Sequence, residues 1–489
     1  MESIKSKVQN RKTLPIRLLQ FGEGNFLRAF VDYMIDKANE AGTMDCGIAI
    51  VKPIEFGSLE RFDKQDNLYT VNLRGKLDGE VINSAHIVTS VQKTVDIYSD
   101  MDSYMELSRL DTLRFVVSNT TEAGIVLDRS DKIEGIPATY PGKLTKFLYE
   151  RFCYFKGDNS KGLILLPVEL IENNGGKLKD CVLALAQEWR LGAEFIKWVE
   201  EACVFCSTLV DRIVTGYPRD EAEQICEKLG YSDELLDVGE PFGLWVIESD
   251  RDISAELPLD RAGMPVVFTD DQKPYRERKV RILNGAHTST VLLGWLSGLP
   301  IVRECMEDKT IRAFMEKAVG EEIAPQVKLP EEDVAAFAAA VYERFENPFI
   351  RHSVLDISLN SVSKWKSRIL PSFKDYYEKN GKIAPALTMS MAGLLAFYGA
   401  GDYSEGKIDA KRPCDGEAYT VRDDAQALKF IASHSKKTSA EYAKAVLSNT
   451  NFWGEDLCAY PGFCETVASY LDAFKADGVK ATVAKLVEA

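Results

Sequence analysis

The chain has 489 residues, 45% hydrophobic and 28% charged, enough for two or three domains with a sizeable buried core. Its 75 acidic against 60 basic residues give a formal net charge of −15, which argues against nucleic acid or an anionic membrane as the main partner. No apolar run is long enough to cross a bilayer, and the start Met1-Glu2-Ser3-Ile4-Lys5 lacks a signal-peptide core, so a cytoplasmic location is expected.

Residues 1–14 are polar and basic and read as a loose arm. Residues 16–20 form an apolar strand that runs into Phe21-Gly22-Glu23-Gly24-Asn25. A helix follows, with Phe26, Leu27, Phe30, Val31, Met34, Ile35 and Ala38 on one side, and residues 47–51 are the next strand. In this βαβ unit Gly22 permits a tight turn, and Gly24 lets a pyrophosphate approach the backbone N–H groups of the helix N-terminus. The third glycine of the dinucleotide fingerprint would fall at Leu27, so the motif is incomplete, and an ordinary strand-ending turn is the competing reading. Lys52 stands where a ribose-binding acid would end the second strand, and Glu55 comes late, which leaves NAD and NADP both open.

Residues 68–92 alternate in places and turn at Gly75 and Gly79, which suggests an antiparallel excursion. Residues 96–110 read as a helix and 113–117 as a buried strand. Ser118-Asn119-Thr120-Thr121-Glu122-Ala123-Gly124 then falls at the strand end where open α/β sheets bind ligands. An amphipathic segment, 143–154, precedes a strand at 162–166 that leads to Asn173-Asn174-Gly175-Gly176, which is either a turn or part of a site. Helices are expected over 177–189 and on to about Cys206; residues 207–212 lead into a turn at Thr215-Gly216-Tyr217-Pro218, and 241–248 and 266–268 look like further strands.

Beyond residue 275 helical periodicity dominates, at about 306–320, 331–346, 385–399, 422–435 and 438–448, with 401–416 read as an exposed loop. A boundary near 270 gives domains 1–270 and 271–489. The second opens on a helix with Pro274 in its first turn. At about 100° per residue, Lys279, Asn284 and His287 share an arc of about 140° with Leu283 between them. A cation, an amide and an imidazole beside an apolar residue suit proton transfer to a carbinol oxygen, provided that Lys279 is buried and its pKa falls. The competing reading is an amphipathic helix with Lys279 and His287 in solvent. Cysteine and histidine offer little else. Cys203 and Cys206 form a CxxC with no second pair or histidine at zinc spacing, and read as structural. Cys153 and Cys181 read as small core residues. The four histidines, His86, His287, His352 and His434, give poor support to a multi-histidine metal site, so no metal is expected.

Taken together, the Gly22-x-Gly24 turn, Thr121-Glu122-x-Gly124, Cys206-Ser207-Thr208-Leu209-Val210-Asp211-Arg212-Ile213-Val214-Thr215-Gly216 and Lys279-x4-Asn284-x2-His287 resemble the mannitol dehydrogenase family of polyol and uronate reductases. The resemblance covers nearly the whole chain. It implies an α/β architecture: a Rossmann-like NAD-binding N-terminal domain followed by a mainly α-helical C-terminal domain. It implies metal-independent hydride transfer with NAD, NADP not being excluded. Lys279 would be the general acid/base, Asn284 and Asn174 would hold the developing alkoxide, and His287 would orient the lysine or the substrate. Phe21, Gly22, Glu23, Gly24, Asn25, Thr121 and Glu122 would hold the coenzyme. Lys364, in Ser363-Lys364-Trp365, matches a substrate-contacting lysine of the polyol enzymes. Asp356 stands where the polyol enzymes have an arginine, which points away from mannitol and toward a sugar acid. A hexuronate carboxylate needs local cations in this acidic chain. Lys364 and Arg368, one helical turn apart, are the candidates, with Arg281 as a lesser one.

Four other readings compete. Tyr275-x3-Lys279 fits the short-chain dehydrogenase pair, but there the pair lies much nearer the glycine turn and in the same domain. A zinc polyol dehydrogenase would need a Cys/His/Glu cluster. A non-enzymatic NAD-binding regulator would keep Gly22 and Gly24 without needing Lys279. A reductase of another hexuronate, or a polyol 2-dehydrogenase, would share every motif above.

Overall fold

Six apolar runs pair as one parallel sheet in the first of two units of the computed structural model, which describes residues 1–120 and 123–488. They are β1 (Ile16–Phe21), β2 (Gly47–Lys52), β3 (Val91–Asp96), β4 (Phe115–Ser118), β5 (Ile164–Pro167) and β6 (Val204–Phe205), in the order β3-β2-β1-β4-β5-β6. β2, β4 and β5 are buried at every residue, as expected of a sheet covered on both faces. One face sends Leu18, Ile48, Val117 and Leu166 against Phe30 and Met34, and the other sends Leu19, Val51, Val116 and Leu165 against Tyr104, Leu144 and Val182. This is the doubly wound order, with its switch point between β1 and β4. The register sets Phe21 beside Val51 and Ser118, and Ser118 beside Pro167, so the C-terminal ends of four strands form one crest.

Three local expectations fail here. The helix foreseen from residue 96 begins only at Met101, because 91–96 is the edge strand β3. The helix foreseen up to Cys206 stops at Ala202, and Val204–Phe205 closes the sheet. The N-terminal arm is tied down: Glu2–Ser3 pairs with Tyr231–Ser232, Ile4 is fully buried beside Leu68 and Tyr231, and Arg11 donates to the Thr89 carbonyl at 2.9 Å.

The compact units are Met1–Gly75 with Val81–Gln272, and Lys76–Glu80 with the chain from Lys273 onward. The antiparallel excursion is a hairpin, Tyr69–Leu77 and Glu80–Val88, turning at Asp78 (φ 52°) and Gly79 (φ 82°).

The second unit is mainly helical. Its centre is a continuous helix made of Lys273–Arg278, Lys279–Asn284 and Gly285–Leu296, whose middle section has the wide turns of a π-helix. Of the 12 residues in the last section, every one except His287 is buried, the signature of a helix inside the core. It packs on Pro385–Gly399, where a Cβ at Gly393 would come within 2.7 Å of Leu293 Cδ2. Residues 401–416 are not a loop. Gly401–Ser404, Lys407–Lys411 and Ala418–Val421 form an antiparallel sheet, with Ile408, Ala410, Tyr419 and Val421 alternating into the core. Cys458 and Cys464 are joined as a disulfide, a pairing that their spacing did not announce. Cys203 and Cys206 are buried free thiols, Cys181 is buried, and Cys153 is exposed rather than a core residue. No helix among the described residues is long and apolar enough to cross a membrane.

Candidate active site

The crest at β1 and β4 is built around Gly22. Its φ of +116° is accessible to glycine alone in practice, and a Cβ there would sit 3.4 Å from the Asn119 carbonyl oxygen. Its N–H donates to the Val51 carbonyl at 3.0 Å, which binds the turn to β2. Gly24 differs. Its φ is an ordinary −67°, and a Cβ would meet nothing within 4 Å, so the fold itself does not require glycine. The open space lies at the N-terminus of α1, the helix made of Asn25–Leu27, Arg28–Asp32 and Tyr33–Glu40, where unsatisfied N–H groups favour an anion.

Gly24 and Asn25 are exposed and Glu23 is half-buried, its carboxyl pushed above the usual range by burial. Phe21 offers only its backbone, since its ring is fully buried and packs edge-on to Tyr140 at 4.9 Å. Thr121 and Glu122 lie outside the described residues. Lys52 turns inward. Its Nζ donates to the carbonyls of Ile54, Glu55 and Phe56 at 2.7–3.3 Å and lies 3.2 Å from Asp96, so it shapes the loop after β2.

Asn174, expected to hold the alkoxide, does not have a hydrogen to give. Its Nδ2 donates to the carbonyls of Pro167, Glu169 and Thr208 at 3.0–3.1 Å, and its Oδ1 accepts from the N–H of Gly175 and Thr208. It is fully buried, a tie between β5, the helix Asn174–Glu188 and the strand Ser207–Asp211. The sequence reading missed Glu169 beside it. This buried carboxylate accepts from Ser118 Oγ and from the N–H and hydroxyl of Thr120, and so sets the loop after β4. A lone acid two residues past a buried strand was the available signal.

In the second unit Lys279 and Asn284 stand at the two ends of the π-helical section, five residues apart. In i→i+5 geometry residue i+5 lies nearly over residue i, so the wide turns narrow the arc that α-helical spacing gives these two. Both are half-buried, as is His287. The His287 ring stacks on Phe345 at 4.0 Å and meets His352 edge-on at 5.2 Å. Its Nε2 is buried with no hydrogen-bond partner. Burial, then His352, Arg344, Arg368 and Lys364, hold its pKa well below the ordinary value, so the ring is neutral at physiological pH.

Of the cations expected from sequence, Lys364 and Arg368 are near enough to this ring to lower its pKa. Lys364 and Arg368 are half-buried on the helix Ser361–Arg368, and burial and the Arg368 charge both lower the Lys364 pKa. Lys364 gives one hydrogen to the Ile357 carbonyl at 2.8 Å, and two others are left on its ammonium group. The Arg368 carbonyl lies 3.7 Å from where a Cβ on Gly285 would be, so this helix end abuts the Lys279 helix. Arg281 is taken by the Asp375 carboxylate. Arg344 and His352 were not foreseen. Arg344 stands in the buried stripe of Glu331–Phe345 with Phe337 and Val341, and a cation at an apolar position of the repeat was the legible signal. Among the described residues no group of three His, Cys, Asp or Glu is placed to hold a metal.

Gly24→Val follows as a test of the first site. A folded variant is expected, since no described residue occupies the space, with NADH affinity weakened by about tenfold or more as the side chain intrudes on the pyrophosphate. Unchanged affinity by fluorescence titration would place the nucleotide elsewhere.

Residues 16–261 match the profile described as the mannitol dehydrogenase Rossmann domain, and residues 271–475 that of the mannitol dehydrogenase C-terminal domain. Curated relatives include the altronate oxidoreductases of Escherichia coli strain K12, 44% identical over 480 residues, and Yersinia enterocolitica, 43% identical over 478 residues. The alignments cover 96% of this chain and 97% and 96% of those proteins. Among solved structures, a D-sorbitol dehydrogenase in substrate-free form aligns with a TM-score of 0.77 at 20% identity, covering 96% of this chain and 95% of that one. The Pseudomonas fluorescens mannitol 2-dehydrogenase, in ternary complex with NAD and D-mannitol, aligns with a TM-score of 0.64 at 20% identity, covering 98% and 96%.

Proposed function

The chain belongs to the mannitol dehydrogenase family, and from that premise we propose that it interconverts D-tagaturonate and D-altronate with a nicotinamide coenzyme, NAD in the first instance. The observation that carries the choice of substrate is the pair of half-buried cations Lys364 and Arg368 on one helix, whose charges help to lower the pKa of His287 on the Lys279 helix. A hexuronate offers these cations a carboxylate to hold, which a neutral polyol lacks. The altronate oxidoreductases among the relatives support the same choice.

The first unit fits the coenzyme. Gly22 makes the turn, and the open face at Gly24 leaves the α1 N-terminus free for a pyrophosphate. The reduced nicotinamide, when bound, supplies the hydride that reduces the substrate ketone. The remaining work belongs to side chains of the second unit. Protonated Lys279 gives its proton to the carbonyl oxygen, and neutral Lys279 takes it back when the alcohol is oxidised. Asn284 donates a hydrogen bond to that oxygen as charge develops. The unpartnered Nε2 of neutral His287 bonds a substrate hydroxyl. Lys364 and Arg368 hold the carboxylate and fix which oxygen of the substrate Lys279 serves. No step needs a metal.

The test follows NADH oxidation at the nicotinamide absorbance band with tagaturonate, fructuronate and fructose. The highest kcat/KM is expected with tagaturonate. A higher value with fructuronate would move the assignment to a related uronate reductase. Equal turnover of fructose would make the protein a polyol dehydrogenase, and NADH binding without turnover of any of the three would leave a nucleotide-binding protein.

A further inference from the structure

Beneath the glycine turn lies a buried charged network that the proposed chemistry leaves unused. Arg28, only 4% exposed, reaches back one helical turn, where its Nη2 donates to Asn25 Oδ1 at 2.5 Å. Its Nη1 donates to the Leu235 carbonyl, and its guanidinium lies 5.2 Å from the centre of the Tyr69 ring and 3.7 Å from Asp237. On the other side of the turn Gln20 Nε2 donates to the Gly22 carbonyl at 3.1 Å and to Asp32 Oδ2 at 3.3 Å. The Tyr69 hydroxyl donates to the same Asp32 oxygen at 2.6 Å. The α1 section that carries Arg28 and Asp32 has π-helical turns.

We propose that Gln20 and Arg28 are positioning residues: they fix the Gly22–Asn25 turn in the shape that presents its backbone N–H groups to the coenzyme pyrophosphate. This inference rests on the coenzyme placement given above. The turn is held at both ends, at the Gly22 carbonyl by Gln20 and at the Asn25 side chain by Arg28. Asn25 cannot retreat from Arg28, because Gly216 lies against it so closely that a Cβ there would fall 2.2 Å from Asn25 Nδ2. Asp32, Tyr69 and Asp237 in turn hold the two positioning side chains. Burial raises the carboxyls of Asp32 and Asp237 to about 7, with Arg28 opposing in both, so near neutral pH the cluster carries little net charge and can stay out of water. A guanidinium is needed because its planar fork serves Asn25 and Leu235 together, whereas an ammonium group offers a single point charge.

The test measures NADH affinity by fluorescence titration of the full chain carrying Arg28→Lys, Gln20→Leu, Asn25→Ala, or both Arg28→Lys and Asn25→Ala, with melting temperature read alongside. Each single variant should raise the NADH Kd by about three- to tenfold, the range for losing one hydrogen bond that holds the turn. At saturating NADH, Arg28→Lys and Gln20→Leu should keep kcat and the substrate KM within about threefold, a split that general loss of structure would not give. The double variant should lose less than the two single losses combined, because the two residues share one contact. Wild-type NADH affinity in folded Arg28→Lys and Gln20→Leu, or additive losses in the double variant, would overturn the proposal. If Arg28→Lys does not fold, Gln20→Leu decides by the same criterion. A wild-type protein that binds no NADH would instead overturn the coenzyme placement.

Discussion

Replacing Lys279 by alanine is expected to lower kcat by about two to four decades, the range for losing a general acid/base, while NADH still binds with wild-type affinity. The proposal assigns this side chain the proton, and the π-helical section it opens sets Asn284 one wide turn above it. Lys279→Arg sharpens the test. Arginine keeps the positive charge but has no neutral form in the accessible pH range, so it cannot accept the alcohol proton. Altronate oxidation should therefore fall in Lys279→Arg as far as in the alanine variant. Wild-type-like turnover in Lys279→Ala would remove the residue from the chemistry. Rapid oxidation by Lys279→Arg would mean that the lysine serves only as a fixed charge.

The second large effect concerns selectivity. A charge-assisted hydrogen bond to a carboxylate contributes about 1.5–3 kcal/mol, so Lys364→Met or Arg368→Met should cost roughly ten- to a hundredfold in kcat/KM on tagaturonate. Slow turnover of fructose, which has no carboxylate, should hardly change, so the preference for the uronate collapses. Arg281→Met is the internal control, because that guanidinium is already paired with Asp375. Equal losses on both substrates in Lys364→Met and Arg368→Met would assign the two cations to the sugar hydroxyls. A loss in Arg281→Met as large as in the other two would show that the pairing with Asp375 does not keep it from the substrate.

By itself the sequence determined what is decided within a turn or two of chain. The β1 strand, the glycine turn and the apolar stripe of α1 were legible because each follows from spacing and residue type over some 25 positions. So was the helix that carries Lys279, Asn284 and His287, and so was the pairing of Lys364 with Arg368 at one helical turn. Strands without an apolar run were not: β3 and the strands at 401–421 are broken by polar residues and β6 has two residues, and they form because neighbouring strands take up their hydrogen bonds.

The surroundings of a side chain also required the tertiary structure, because residues remote in sequence supply them. Asn174 carries the same amide as Asn284, and the family resemblance implied the same role for both. Only the fold brings the carbonyls of Pro167 and Thr208 to it and uses up its hydrogens. The ring of His287 is stacked by Phe345, approached by His352 and faced by cations from positions 344, 364 and 368, from more than one helix of the second unit. Helical spacing can place an imidazole on a face; it cannot say that burial, helped by His352 and three distant cations, will hold that imidazole neutral, because both depend on packing.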